Sequence, residues 1–202
     1  KAEDILIVFL SGHGLTRGND FFYLTQAMSS FEVELEGKGK TISNTELTRW
    51  ITGIPALKQV LILDACNSGK VVESLANSSK GSNSSQIRAL ERLKDRTGMF
   101  VLSGSAADKL SYESGKFDQG LLTYSLLQGM KMVGSKNEKR VDVMQWFQRS
   151  CDEVPLLAKS IQGVQTPMLV GPLRGSFDVG IVSEQVNIPV KDSLPVVIRC
   201  NF

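Results

Sequence analysis

The sequence predicts an α/β domain built on a largely parallel sheet. Three observations predict it. Apolar runs at Ile5–Leu10, Val60–Leu63 and Met99–Leu102 each close on a polar turn that carries glycine. A capped helical segment separates the first two runs. Beyond the third, apolar residues recur at helical spacing. Strands that alternate with helices assemble into a parallel sheet, through right-handed crossovers and with helices on its faces.

Each element follows in order. Asp4–Leu10 is apolar and β-branched and is closed by Ser11-Gly12-His13-Gly14, which reads as a strand buried on both faces. Phe21–Leu24 reads as a short strand, and Glu32–Lys40 as a polar loop. Ser43-Asn44-Thr45-Glu46 is a capping box, with Ile42 and Leu47 at hydrophobic-staple positions. A helix therefore starts at Ser43 and runs to about Gly53-Ile54-Pro55. Gln59–Cys66 is a second buried strand, closed by Asn67-Ser68-Gly69. Residues 77–85 are a low-complexity, linker-like stretch of Ser, Asn, Gly and Lys. Ile87, Leu90 and Leu93 share one helical face, and Met99–Leu102 is a third strand before Ser103-Gly104-Ser105. Gly120–Met132 reads as a buried helix. Asp142 caps another, with Val143, Phe147 and Cys151 as its inward residues. Met168–Val170 is a fourth strand. From Phe177 the pattern alternates weakly past Pro189 and Pro195, as an edge strand or hairpin packing on the body or on a missing segment.

Composition narrows the function classes. The chain has 202 residues, 42% hydrophobic and 22% charged, which excludes a mostly disordered chain, a collagen repeat and a coiled coil. Its 23 Lys and Arg nearly balance 21 Asp and Glu, so charge makes no case for nucleic acid or an anionic membrane as partner. The longest apolar run is far short of the roughly 20 residues that span a bilayer. Cys66, Cys151 and Cys200 are widely spaced and form no CxxC pair, which excludes a zinc ribbon or a thioredoxin motif. An odd cysteine count fits a reducing, cytoplasmic setting. His13 is the single histidine, so a multi-histidine metal site is excluded, and no cofactor is expected. A G-x-S-x-G elbow and a Walker lysine motif are absent, and a phosphatase loop would need Arg where Val72 stands.

In a parallel sheet the working residues lie beyond the carboxyl ends of the strands. His13 and Cys66 both fall there, and adjacent strands run ~4.8 Å apart, so side chains leaving their tips can meet. Taken alone, each has a plainer reading: a surface histidine in a glycine-rich turn, and a small buried hydrophobe. Taken together they match the needs of a thiol nucleophile, which are a proton acceptor and donors for an oxyanion. Gly14 lets the backbone approach a substrate carbonyl, so its N–H joins that of Cys66 as an oxyanion donor.

A strand plus Ser-Gly-His-Gly, paired with a strand plus Asp-Ala-Cys-Asn-Ser-Gly, resembles the caspase-like cysteine peptidases. The closest likeness is to the metacaspase and bacterial caspase-homologue branch, and it runs from about Asp4 to Pro172. The resemblance implies a caspase-like three-layer fold over residues 1–175, with residues 176–202 as a C-terminal β extension. It also implies that the family's first two strands and two helices precede Lys1, and that without them the His13 strand exposes an apolar edge. His13 and Cys66 map onto the catalytic dyad, and the backbones of Gly14 and Cys66 onto the oxyanion donors. Animal caspases carry Gln two residues before the cysteine; Asp64 stands there, as in metacaspases. Asp108 matches an acidic pocket position of the basic-specific branch, and Ser105 and Tyr112 line the same cleft. Two carboxylates favour a guanidinium or ammonium and repel another carboxylate, so cleavage is expected after Arg or Lys.

Several assignments keep a plainer alternative. Asp64 can be a structural hydrogen-bond acceptor, and Asp108 a helix cap or solvated loop residue. Glu113 and Asp118 can be solvated carboxylates rather than a cation site. Some metacaspases need calcium, but no EF-hand-type loop appears here. In caspase relatives the region of residues 77–85 is the linker cut on activation. Lys70, Lys80 and Arg88 suit self-cleavage there, the alternative being an uncut loop. The expected partners are a protein or peptide substrate and a regulatory or sensor protein, or the missing N-terminal segment. The resemblance further implies bacterial origin and a role in regulated cell death or antiviral defence. The competing readings are a catalytically silent scaffold that mediates association, and a peptidase of reversed, acidic specificity.

Overall fold

The computed structural model describes residues 1–17, 20–27, 40–65, 99–105, 113–114, 119–134, 140–172, 175–182 and 197–198. Among them the first elements are β1 (Ile5–Gly12), β2 (Gly14–Arg17), β3 (Asp20–Leu24), β4 (Thr41–Ser43), α1 (Asn44–Thr52) and β5 (Lys58–Ala65). Then come β6 (Phe100–Ser103), β7 (Glu113–Ser114), β8 (Gln119–Gly120), α2 (Leu121–Gly134) and β9 (Arg140–Asp142). The last are α3 (Val143–Ser160), β10 (Met168–Val170), β11 (Asp178–Ile181) and β12 (Val197–Ile198).

The central sheet has the order β1-β5-β6-β10. β1 and β6 both run parallel to β5, and β10 closes the sheet antiparallel to β6. Period-2 alternation sends neighbouring side chains of one strand to opposite faces. Val60 and Ile62 of β5, with Phe100 and Leu102 of β6, join Leu121, Leu122, Phe147 and Val154 of α2 and α3. Leu61, Leu63 and Val101 face the other way, onto Leu47 and Ile51 of α1 and Phe21 of β3. The result is three layers, with helices on both sides of a mostly parallel sheet, as the sequence predicts.

The local signals explain the helices. The capping box at α1 is complete: Ser43 Oγ accepts from the Glu46 N–H at 3.2 Å, and the Glu46 carboxylate accepts from the Ser43 N–H at 3.0 Å. The Ser43 N–H and, at 2.8 Å, the Ser43 hydroxyl both donate to that carboxylate and hold the Glu46 carboxyl below its usual range. Asp142 caps α3 by accepting from the Gln145 N–H at 3.0 Å. α3 continues through Pro155 to Ser160, although an interior proline removes one helical bond. Burial of Val154 and Ala158 on either side of it holds the helix to the core.

One element differs from its sequence reading. Among the described residues β1 is an edge strand, and its alternate residues Ile5, Ile7 and Phe9 are 37%, 48% and 46% exposed. An apolar run alone cannot distinguish an edge strand from a central one, because the side chains that cover it come from elsewhere. Smaller sheets complete the described residues: β2-β3-β4, β9 with β11, and β12-β7-β8. The pairing of β11 with β9 brings residues 178–181 against the body. No helix among the described residues is long and apolar enough to cross a membrane.

Candidate active site

The carboxyl ends of β1, β5 and β6 lie side by side. β1 pairs with β5 through Ser11 opposite Asp64 and Gly12 opposite Ala65. β5 pairs with β6 through Leu63 opposite Ser103, and the Gly104 N–H extends that ladder to the Leu63 carbonyl at 2.7 Å. Functional side chains are therefore sought at His13, Asp64 and Ser105, the described residues at these three tips.

His13 occupies the single position between β1 and β2, with its side chain exposed. Its backbone is fixed from both directions. The Leu24 N–H donates to the His13 carbonyl at 2.9 Å. Two residues earlier, the Tyr23 hydroxyl donates to the Ser11 carbonyl at 2.7 Å. Burial pushes the Tyr23 hydroxyl above its ordinary range, so it stays a donor at neutral pH. Gly12 takes φ +151°, where only glycine is at ease, and a Cβ there would stand 2.9 Å from the Tyr23 hydroxyl oxygen. Glycine at 12 thus lets the chain turn sharply enough to present the imidazole. Gly14 is buried and pairs with Tyr23 across the β2–β3 ladder.

Asp64 is 4% exposed near the end of β5. Its Oδ2 accepts from the Thr123 N–H at 3.0 Å and from the Thr123 hydroxyl. Thr123 lies in the first turn of α2, where backbone N–H groups lack helical partners. Gly120, just before that helix, has no side chain with which to cap it. A Cβ on Gly120 would collide with the Asp64 carboxylate. The aspartate from the sheet thus does the work of a helix cap, and the N-terminal end of the helix dipole favours its charge.

Ser105 is fully buried past the end of β6, and its hydroxyl oxygen has no hydrogen-bond partner among the described residues. Its carbonyl accepts from the Ser103 hydroxyl at 2.5 Å. Buried Gln165, from the loop after α3, donates to the Gly104 carbonyl at 2.7 Å. The tip of β6 is thereby fixed by side chains as well as by its ladder.

The structure brings His13, Gly14, Asp64 and Ser105 to one end of the sheet. Glu113 enters through the backbone of β7, opposite Gly120. Cys66, Lys70, Lys80, Arg88, Asp108, Tyr112 and Asp118 lie outside the described residues. Among the described residues no three His, Cys, Asp or Glu gather closely enough to hold a metal ion. Sequence reasoning missed Tyr23, Gly120, Thr123 and Gln165. The one hint was a threonine set in the apolar stretch Leu121-Leu122-Thr123, since a polar residue inside a buried helix start needs a partner.

Cys151, the described cysteine, is unsuited to nucleophilic work. It sits half-buried on α3 against the core, and burial, with Asp152 beside it, pushes its thiol up to about 11.

The family model of the caspase domain, peptidase C14, matches residues 1–178. No curated protein matches the chain.

Proposed function

The chain belongs to the caspase-domain family of cysteine peptidases, and on that premise we propose that it is an endopeptidase cutting after Arg or Lys, of the metacaspase-like branch. His13 and Cys66 form its dyad. The observation that supports this is the level ending of two parallel strands. Gly12 stands opposite Ala65, and the residues that follow them in sequence are His13 and Cys66.

In this reading the His13 imidazole takes the thiol proton and Cys66 Sγ attacks the scissile carbonyl carbon. The N–H groups of Gly14 and Cys66 receive the oxyanion. Collapse breaks the C–N bond, and the imidazolium returns its proton to the leaving amine. Water then attacks the thioacyl carbon, with His13 taking its proton, and the thiol is restored. Asp64, Asp108 and Ser105 line the primary pocket, where carboxylates attract a basic side chain and repel an acidic one. The chemistry is complete without a cofactor. The peptidase unit spans residues 1–175, with 176–202 as its extension. Cleavage at Lys80 or Arg88, in or just past the 77–85 linker, is the proposed activating event. A sensor protein or an N-terminal segment is the proposed regulator, in a cytoplasmic bacterial setting with a defence role.

Matched fluorogenic peptides ending in Arg, Lys and Asp test this on wild type, Cys66→Ala and His13→Ala. The basic peptides are expected to be cut and the acidic one spared, with each variant about 10³-fold slower or worse. Preference for Asp overturns the specificity. Basic-peptide cleavage that persists in both variants overturns the dyad. An intact wild-type chain cutting none of the three favours the scaffold.

A further inference from the structure

Two groups on one residue, the N–H and the hydroxyl of Thr123, converge on one oxygen of Asp64. Asp64 is almost fully buried, and its aspartyl backbone is fixed by the β1–β5 ladder. With Oδ2 held by two donors, the plane of the carboxylate and the direction of Oδ1 are set. Thr123 is itself held, since it lies in the first turn of a helix whose neighbours Leu121 and Leu122 are fully buried. None of these contacts is local in sequence; Asp64 and Thr123 are 59 positions apart.

A fixed carboxylate plane matters differently to the two basic side chains. A guanidinium is a flat array of donors, and an N–H directed at Oδ1 gains most when that oxygen is held in a matching plane. An ammonium is a compact charge with rotatable donors and is nearly indifferent to that plane. We propose that Thr123 is a positioning residue of the primary pocket: by pinning the Asp64 carboxylate it makes the site prefer Arg over Lys. This rests on the reading of Asp64 as a pocket residue given above.

The test compares kcat and KM for matched Arg and Lys reporters on the full chain. Thr123→Val keeps the shape and removes the hydroxyl. It is expected to raise KM for Arg about tenfold and for Lys about twofold, with kcat little changed, as for a lost charge-assisted hydrogen bond. Thr123→Ser is expected to restore the wild-type Arg-to-Lys ratio. Thr123→Ala removes the same hydroxyl without the branched carbon, and serves if the valine variant does not fold. In an Asp64→Asn background the valine substitution is expected to leave the ratio unmoved, because its effect passes through the carboxylate.

Equal losses on both reporters overturn the inference, as does a serine variant as poor as valine. So does a falling kcat at constant KM. The pocket reading fails separately: a wild-type chain that cuts neither basic reporter, or an Asp64→Asn variant that cuts both as well as wild type, defeats that reading and the inference with it. A large Asp64→Asn loss beside an unmoved ratio in Thr123→Val defeats the inference alone.

Discussion

β1 and β5 are both eight residues long, both rich in Ile, Leu and Val, and both end at the candidate site. Yet every residue of β5 after Lys58 is buried, whereas no residue of β1 is fully buried. Their sequences do not differ in kind; their places in the sheet do. β5 has a strand on each side and a helical layer above and below. Among the described residues β1 has one neighbour, and its row Ile5, Ile7, Phe9 lies open. The strand leading to Asp64 and Cys66 is thus set into the core, and the strand leading to His13 is steadied at its tip by β3.

Truncation separates the two strands most sharply. Leu63→Ala, at a fully buried position, is expected to cost about 3 kcal/mol of unfolding free energy. Ile7→Ala, half-exposed on β1, is expected to cost about 1 kcal/mol or less. Urea titration measures both, and similar midpoint shifts would erase the contrast.

The tip of β1 comes next. Gly12→Ala forces a side chain onto φ +151° and against Tyr23, with an expected cost of about 2 kcal/mol and a loss of whatever activity His13 supports. A fully stable and active Gly12→Ala chain would show that the turn does not position the imidazole. Tyr23→Phe removes only the bond to the Ser11 carbonyl, worth about 1 kcal/mol. Its activity should fall with its stability, and amide exchange at Leu24 should quicken. Unchanged exchange there would separate His13 from Tyr23.

The smallest effect concerns a thiol far from both strands. With its thiol at about 11 in the fold against about 9 in the open chain, Cys151 is protonated at neutral pH. Iodoacetamide at pH 8 should therefore spare it, as peptide mass mapping would reveal. The sign for stability follows from proton binding. Between about pH 9 and about pH 11 the folded chain holds the proton that the unfolded chain releases, so stability falls as pH rises through that window and is unaffected below it. A melting temperature that climbs over the same range contradicts the burial of that thiol.

What the sequence revealed and what it hid divide along the same line. The capping box at Ser43 and the cap at Asp142 rest on contacts three residues apart and were legible at once. The three apolar strands were legible as unbroken apolar runs, each closed by a polar turn. The exposure of Ile7 was legible only through the resemblance, which sets two strands and two helices ahead of Lys1; the apolar run by itself reads as buried. The pairs Asp64 with Thr123 and Gly104 with Gln165 were not legible, since their members lie 59 and 61 residues apart. At the candidate site, the motif around His13 placed that residue at the carboxyl ends of the strands, while the side chains that hold Asp64 and Gly104 in place left almost no local trace.

The bare α-carbon of Gly120 has a consequence for how this chain can diverge. The space a methyl would fill there already holds the Asp64 carboxylate. Position 120 is therefore coupled to position 64: a descendant that gains a side chain at the first must move or replace the carboxylate at the second.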